Sequence, residues 1–315
     1  MTQGQKIATR DAYGDALVAL GKKRDDVVVL DADLSGSTKT GKFAKAFPDR
    51  FFNIGIAEQD MMGTAAGLAI GGKLPFASTF AVFATGRAWE QIRQSICYPN
   101  LNVKIVASHA GITVGEDGGS HQSLEDVAVM RVIPHMTVVV PADGVETMQA
   151  IEAVAEHKGP CYVRVGRNKV PTICPENYKF RIGKAHVFHE GKDAAIIATG
   201  IMVAEALKAR DLLKAEGIDA GVINMSTIKP IDAEAIIAAS KRCGAIVTAE
   251  EHSIIGGLGG AVAEVLAESA PAPLVRIGTK DQFGTSGDPD GLLKHYKLLA
   301  GDIAAAVKEV IKKKR

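Results

Sequence analysis

Val103-Lys104-Ile105-Val106-Ala107-Ser108-His109-Ala110-Gly111-Ile112-Thr113-Val114-Gly115-Glu116-Asp117-Gly118-Gly119-Ser120-His121-Gln122-Ser123-Leu124-Glu125-Asp126 joins an apolar run to a polar, glycine-rich stretch. The run Val103–Ala107 reads as a buried strand, so the polar stretch falls at a strand's carboxyl end, where open α/β sheets place their ligands. Upstream, Val27–Leu30 and Pro75–Ser78 read as strands, and Glu58–Ile70 and Ala88–Cys97 as helices. Downstream come a strand at Thr137–Val140, a helix at Val145–Glu156, and Cys161–Val165, which completes a parallel sheet. This alternation predicts an α/β fold of layered sheets and helices.

Asn168 to Lys184 contains Pro171 and Pro175, lacks periodicity, and reads as an interdomain linker. The alternation then resumes with strands at Ala194–Ala198, Ala220–Ile223, Ala245–Thr248 and Leu274–Ile277, interleaved with helices at Met202–Glu216, Asp232–Arg242 and Ala261–Glu268. We therefore expect two tandem domains, 1–170 and 189–315, each a mainly parallel sheet flanked by helices, joined by a linker at 171–188. Gly256-Gly257-Leu258-Gly259-Gly260 fails the dinucleotide spacing because Val262 stands where a third glycine would be, so it reads as a tight turn into a helix. The closing Lys312-Lys313-Lys314-Arg315 reads as a solvated helix end favoured by the macrodipole.

At 315 residues the chain is long enough for two cores, and its net charge of +1 gives no electrostatic case for nucleic acid or a membrane surface. Met1–Lys6 lacks the apolar core of a secretory signal, and no apolar run reaches a membrane span. Cys97, Cys161, Cys174 and Cys243 form no Cys-x-x-Cys pair, which suits reduced thiols, so a cytoplasmic location is expected.

Asn53-Ile54-Gly55-Ile56-Ala57-Glu58-Gln59-Asp60-Met61-Met62 places one carboxylate in an apolar, glycine-rich setting, and Ser78-Thr79-Phe80-Ala81-Val82-Phe83 follows about twenty residues on. A carboxylate among apolar groups is disfavoured as an anion and can share a proton near neutral pH. Two phenylalanines beside it could hold a flat heteroaromatic ring while the carboxylate bonds to a ring nitrogen. The plainer reading is a core glutamate paired with an arginine, beside two core phenylalanines. His109 and His121 flank Asp117, and a metal site from this trio is the rival to hydrogen bonding of a substrate; the spacing matches no ligand pattern, so no metal is assigned.

At these residues, and at Lys6-Ile7-Ala8-Thr9-Arg10, Asp31-Ala32-Asp33-Leu34-Ser35, Val163-Arg164-Val165-Gly166-Arg167-Asn168 and Thr248-Ala249-Glu250-Glu251-His252, the chain resembles the C-terminal half of a transketolase, a thiamine-diphosphate enzyme. The resemblance runs almost end to end and implies a thiamine-diphosphate-binding fold for pyrimidine, followed by a transketolase C-terminal-like domain. It implies Glu58 on the pyrimidine nitrogen, Phe80 and Phe83 around the ring, and Asp33 and Leu34 beside the thiazolium. It places His109, Asp117 and His121 on sugar hydroxyls, with His121 also touching cofactor and His109 and His121 moving protons. Arg10, Ser37, His109 and Arg167 are implied to hold a sugar phosphate.

The family holds the diphosphate and its Mg²⁺ or Ca²⁺ with Gly-Asp-Gly and a downstream Asn, and no Gly-Asp-Gly occurs here: Gly115-Glu116-Asp117-Gly118 breaks it with an extra residue. The expectation is one subunit of a split enzyme, assembled α2β2 with an N-terminal partner that carries that motif, and inactive alone. The implied reaction is transfer of a two-carbon ketol unit from a ketose phosphate to an aldose phosphate. A 2-oxoacid dehydrogenase β subunit has no need of the Arg10 and Arg167 clamp. A deoxyxylulose-phosphate synthase-like chain would normally carry a histidine after Glu58-Gln59, and a non-catalytic scaffold would not require Glu58, His109, Asp117 and His121. Thr85-Gly86-Arg87 replaces an aromatic of some family members, and Gln59-Asp60 stands where a histidine often follows the glutamate. The second domain is expected to support dimer contacts and contribute little chemistry.

Overall fold

The computed structural model describes residues 5–314; Met1–Gly4 and Arg315, on which the amino-terminal and part of the terminal-charge readings fall, lie outside it. In the first half the strands are β1 (Lys6–Ala8), β2 (Val27–Asp31), β3 (Phe51–Asn53), β4 (Leu74–Ser78), β5 (Lys104–Ala107), β6 (Thr137–Val139), β7 (Cys161–Arg164) and β8 (Lys169–Pro171). The second half adds β9 (His186–His189), β10 (Ala194–Ala198), β11 (Ala220–Asn224), β12 (Thr227–Lys229), β13 (Ile246–Ser253) and β14 (Leu274–Thr279). One sheet runs β12-β6-β7-β5-β4-β2-β3 and the other β14-β13-β10-β11-β9, both parallel except at the edge strands β12 and β9.

Continuous apolar strands make sense only where both faces are covered. All five residues of β2 are buried. Val27 and Val29 pack with Tyr13, Leu17, Phe43 and Ile151 on one face, while Val28 and Leu30 pack with Met61, Met62 and Ala65 on the other. The second sheet repeats the device: Ala194, Ile196 and Ala198 face Val203, Leu213 and Ile303, and Ala195 and Ile197 turn the opposite way.

Those last two residues belong to the same apolar cluster as Met61, Met62 and Ile105, so one core runs through both halves. β12 strengthens the union, since residues from beyond the proposed linker pair antiparallel with β6, Thr227 opposite Val139. The segment read as a linker is likewise not free. β8 pairs with β1, and the Ile173 and Cys174 amides donate to Asp143 Oδ2 at 2.8 Å. Phe180 N donates to Gln149 Oε1 at 2.8 Å, and β9 begins inside the nominal linker. Prolines and sparse periodicity marked irregular backbone correctly but gave no sign that the backbone groups find partners on the first half.

Two other readings shift. The helical segment expected at Ala88–Cys97 begins at Phe83 and is wound with wide π turns over Phe83–Arg87 and Ile92–Cys97, separated by Trp89–Gln91. The glycine run lies partly inside the helix Leu258–Ser269, whose first amides, Leu258 and Gly259, donate to the Glu250 carboxylate at 2.7 Å. The last helix closes at Ile311, before the lysine run.

Glu146, fully buried, ties the halves together. It accepts the Ala142 amide at 2.7 Å and Asn224 Nδ2 at 3.0 Å, and the Tyr178 hydroxyl donates to it as well. Glu146→Ala strands three buried donors, so chemical denaturation should report a loss of about 2–4 kcal/mol, with a smaller loss for Glu146→Gln, which still accepts.

Candidate functional site

The first sheet delivers every proposed site residue but Arg10 to its carboxyl edge; Arg10 lies in the helix Thr9–Lys23 that follows β1, outside that sheet. Asp33, Leu34 and Ser37 follow β2, Glu58 follows β3, Phe80 and Phe83 follow β4, His109 to His121 follow β5, and Arg167 follows β7. This is the crevice side expected of open parallel sheets.

Glu58 is the first residue of the helix Glu58–Ile70 and is 4% exposed. A carboxylate there gains from the amide groups that open a helix. Its setting is not purely apolar: Arg87 Nη1 lies 3.3 Å from Oε1 and 3.5 Å from Oε2. The same guanidinium carbon sits 4.2 Å from the Phe83 ring centroid, a cation–π contact. The pairing with an arginine foreseen as the plainer reading is thus present, and the apolar-setting expectation is corrected. Four residues apart in one helical segment, Phe83 and Arg87 share a face, so the guanidinium lies over the ring.

Phe80 and Phe83 lie nearly parallel, at 14° and 5.8 Å between centroids. His109 stacks on Phe80 at 3.8 Å, and the His121 ring stands edge-on to Phe83 at 5.5 Å. Aromatic rings and both imidazoles therefore form one cluster.

His109 is 2% exposed and bonded at both nitrogens, Nδ1 to Ser108 Oγ at 2.9 Å and Nε2 to Arg10 Nη1 at 3.2 Å. Arginine only donates, so Nε2 is the bare nitrogen and the proton resides on Nδ1. Burial first, and then its cationic surroundings, Arg10 and Arg167 foremost, push its pKa from 6.5 down to about 3. His109 is a neutral imidazole through the physiological range.

Arg10 also donates to the Ser37 carbonyl at 3.0 Å, and its buried Nε has no partner, leaving a donor available to an anion. Arg167 donates to the Val114 carbonyl at 2.7 Å and lies 3.4 Å from Asp117. Asp117, expected to meet a hydroxyl, is therefore paired with a residue expected to meet phosphate. The exposed Asp33 exchanges hydrogen bonds with Asn53, and the half-buried Leu34 donates its amide to the buried Asp31 at 2.6 Å. Asp33, Lys39 and His109 all hold positive φ, at 62°, 71° and 55°.

Sequence reasoning missed Lys39, whose charge reaches His109, and gave Arg87 no role. Its place four residues after Phe83 in a helical segment was the available signal. Among the described residues no cluster of three or more His, Cys, Asp or Glu is placed to hold a metal ion, and no helix is long and apolar enough to cross a membrane.

The pyrimidine-binding domain model of transketolase matches residues 5–172, and the transketolase C-terminal domain model matches residues 183–303. The chain belongs to the transketolase family. It is 56% identical over 307 residues to a Methanocaldococcus jannaschii chain provisionally named a transketolase C-terminal section, with 96% of each chain covered. It is 45% identical over 305 residues to a 6-deoxy-6-sulfo-D-fructose transketolase subunit of a Clostridium strain, covering 97% of this chain and 95% of that one. A split-gene transketolase solved as an inactive β4 tetramer shares 56% identity at a TM-score of 0.92, with 98% of this chain and all of that chain covered. As a transketolase-family chain it is a C-terminal half, and transferase chemistry is the family's general activity.

The state of His109 has a measurable consequence. Once unfolded, its imidazole regains a pKa of 6.5 and takes up a proton that the folded site refuses. Acid therefore favours the unfolded chain, by up to about 1.4 kcal/mol per pH unit below that point. His109→Asn should flatten the loss of stability between pH 7.5 and pH 5, measured by chemical denaturation. An unchanged slope would show that His109 is not held neutral.

Proposed function

We propose that this chain is the pyrimidine-side subunit of a two-chain transketolase that moves a two-carbon ketol unit from a ketose phosphate to an aldose phosphate. The observation that carries the reading is one sheet edge holding a buried carboxylate, two parallel aromatic rings, two imidazoles and an arginine-rich rim. In keeping with it, the matched family models are the pyrimidine-binding and C-terminal domains.

The residues present fit the pyrimidine half of thiamine diphosphate, since a flat ring with one basic nitrogen needs an apolar face and a carboxylate. Phe83 and Phe80 supply the first and Glu58 the second. Arg87 now takes both the ring and the carboxylate, but its side chain is 54% exposed and its contact of 3.3 Å is long for a charge-assisted bond. It can give way where a ring nitrogen takes its place on the carboxylate. When bound, the cofactor supplies the electron sink for breaking and remaking the carbon–carbon bond.

This chain's own part is binding and proton handling. Glu58 holds a proton shared with the ring nitrogen at its carboxylate. His121 and neutral His109 exchange hydrogen bonds with substrate hydroxyls, and His109 can offer Nδ1–H or, once Arg10 turns outward, accept at Nε2. Arg10 and Arg167, with Ser37 beside them, receive the phosphate, because a guanidinium keeps its charge and matches oxyanion geometry. Asp117 releases Arg167 for this task and meets a hydroxyl. Asp33 and Leu34 line the entrance beside the thiazolium.

The diphosphate and its Mg²⁺ or Ca²⁺ belong to the N-terminal partner carrying Gly-Asp-Gly and a downstream Asn, in an α2β2 assembly. The inactive β4 tetramer formed by a 56% identical split-gene transketolase accords with a chain that self-associates yet needs its partner. We place the boundary between the halves at 171–188, with 1–170 carrying the pyrimidine site and 189–315 as the C-terminal domain, working in the cytoplasm.

Purification of the tagged chain from its native cells should recover a second polypeptide bearing Gly-Asp-Gly, and ketol transfer should require both chains, thiamine diphosphate and a divalent ion. Glu58→Gln should lower kcat at least a thousandfold, about 4 kcal/mol of barrier, while the mixed complex still assembles. Full activity of that variant, or transfer by this chain alone, would sink the reading.

A further inference from the structure

We propose that Glu251, in the second half of the chain, is a positioning residue that fixes the substrate loop 108–126 in its working shape. The inference rests on the ketol-transfer reading for the loop's purpose but on geometry for its mechanism. It also departs from the expectation that the second domain contributes little.

The loop is closed at its base. Gly111 N donates to the Ser123 carbonyl at 2.8 Å, so residues 112–122 project as one lobe carrying Asp117 and His121, with His109 just outside the stem. Inside that stem lies the Glu251 carboxylate, 4% exposed, accepting the Thr113 amide at 2.7 Å. Gly111 lies against the carboxylate: its φ of 82° suits glycine, and a Cβ there would stand 2.3 Å from the carboxyl group. No larger residue could share the space, so backbone and carboxylate are fitted to each other.

Arg164, 7% exposed, holds the other side of the stem. Its Nη2 donates to the Glu251 carbonyl at 2.9 Å and reaches the Ser123 carbonyl at 3.4 Å, and Nε donates to Asp126 at 2.8 Å. Ser253 N, two residues beyond Glu251 on β13, donates to the Leu124 carbonyl at 2.7 Å. Both strands of the stem are therefore gripped by one strand of the second sheet. The foot of the lobe is gripped by the same half of the chain, since Gln122 Nε2 donates to the Thr285 carbonyl at 3.0 Å. A loop this rich in glycine has little stiffness of its own, and its order comes from these contacts.

Glu251→Ala leaves the Thr113 amide buried without an acceptor, whereas Glu251→Gln keeps an acceptor in place and gives up only the charge facing Arg164, 4.0 Å away. The test is hydrogen exchange by mass spectrometry on the full chain, followed by kinetics of the complex with its partner. E251A should accelerate exchange in peptides covering 109–122 by about tenfold or more, leave β10 and the helix Glu58–Ile70 unchanged, and raise the ketose KM more than it lowers kcat. E251Q should restore most of both. If E251A does not fold, G111A takes its place and must accelerate the same peptides while E251Q does not. Equal loop exchange in wild type and variant, or acceleration spread evenly over both sheets, overturns the proposal. Exchange is read without substrate, so a wild-type complex that fails to transfer ketol units would defeat the functional reading and leave the loop result standing.

Discussion

Arg164 faces a carboxylate on each side, Asp126 at 2.8 Å and Glu251 at 4.0 Å, and all three groups are nearly inaccessible. Buried charges are tolerated only when paired and hydrogen-bonded, because each forfeits hydration worth several kcal/mol. The Tyr162 hydroxyl donates to Asp126 Oδ2 at 2.6 Å, and the Thr113 amide to Glu251, so groups of the first half serve a network that draws one carboxylate from the second, with Asp126 Oδ1 left without a partner. Such a cluster cannot slide. It fixes the end of β7, the base of the glycine-rich loop and the middle of β13 relative to one another, and the site edge inherits that geometry.

A second constraint acts at Glu58. A buried carboxylate needs a partner in every state that the chain visits. In the structure Arg87 fills that need while lying over Phe83, so the ring and the carboxylate are served by one flexible, half-exposed side chain. In the proposed complex a pyrimidine would take over both contacts. Until then the arginine spares Glu58 an unpaired buried charge.

Most strands were legible because they are short apolar runs covered on both faces, as at Val27–Asp31 and Ala194–Ala198. β12 and β8 were not legible: three-residue edge strands carry no period, and their pairing depends on partners about ninety and one hundred and sixty residues away. The helix Glu58–Ile70 was readable to the residue, whereas the π turns at Phe83–Arg87 were not, since local sequence does not distinguish four from five residues per turn. Motifs grouped Glu58, His109 and Arg167 as expected neighbours. That Arg87 sits on Glu58, Arg10 on His109 and Arg167 on Asp117 follows from tertiary approach alone.

The same approach explains why the two halves pack as one unit. Apolar residues of β10 and β11 share a cluster with Met61 and Ile105, β12 extends the first sheet, and Glu146 binds Asn224 across the join. With a common core, the second sheet cannot rock against the first without exposing apolar surface from both. The loop bearing Asp117 and His121 is held from the second half, while the rings and Glu58 are held from the first. A site divided in this way keeps its geometry only because the division falls across a single packed core.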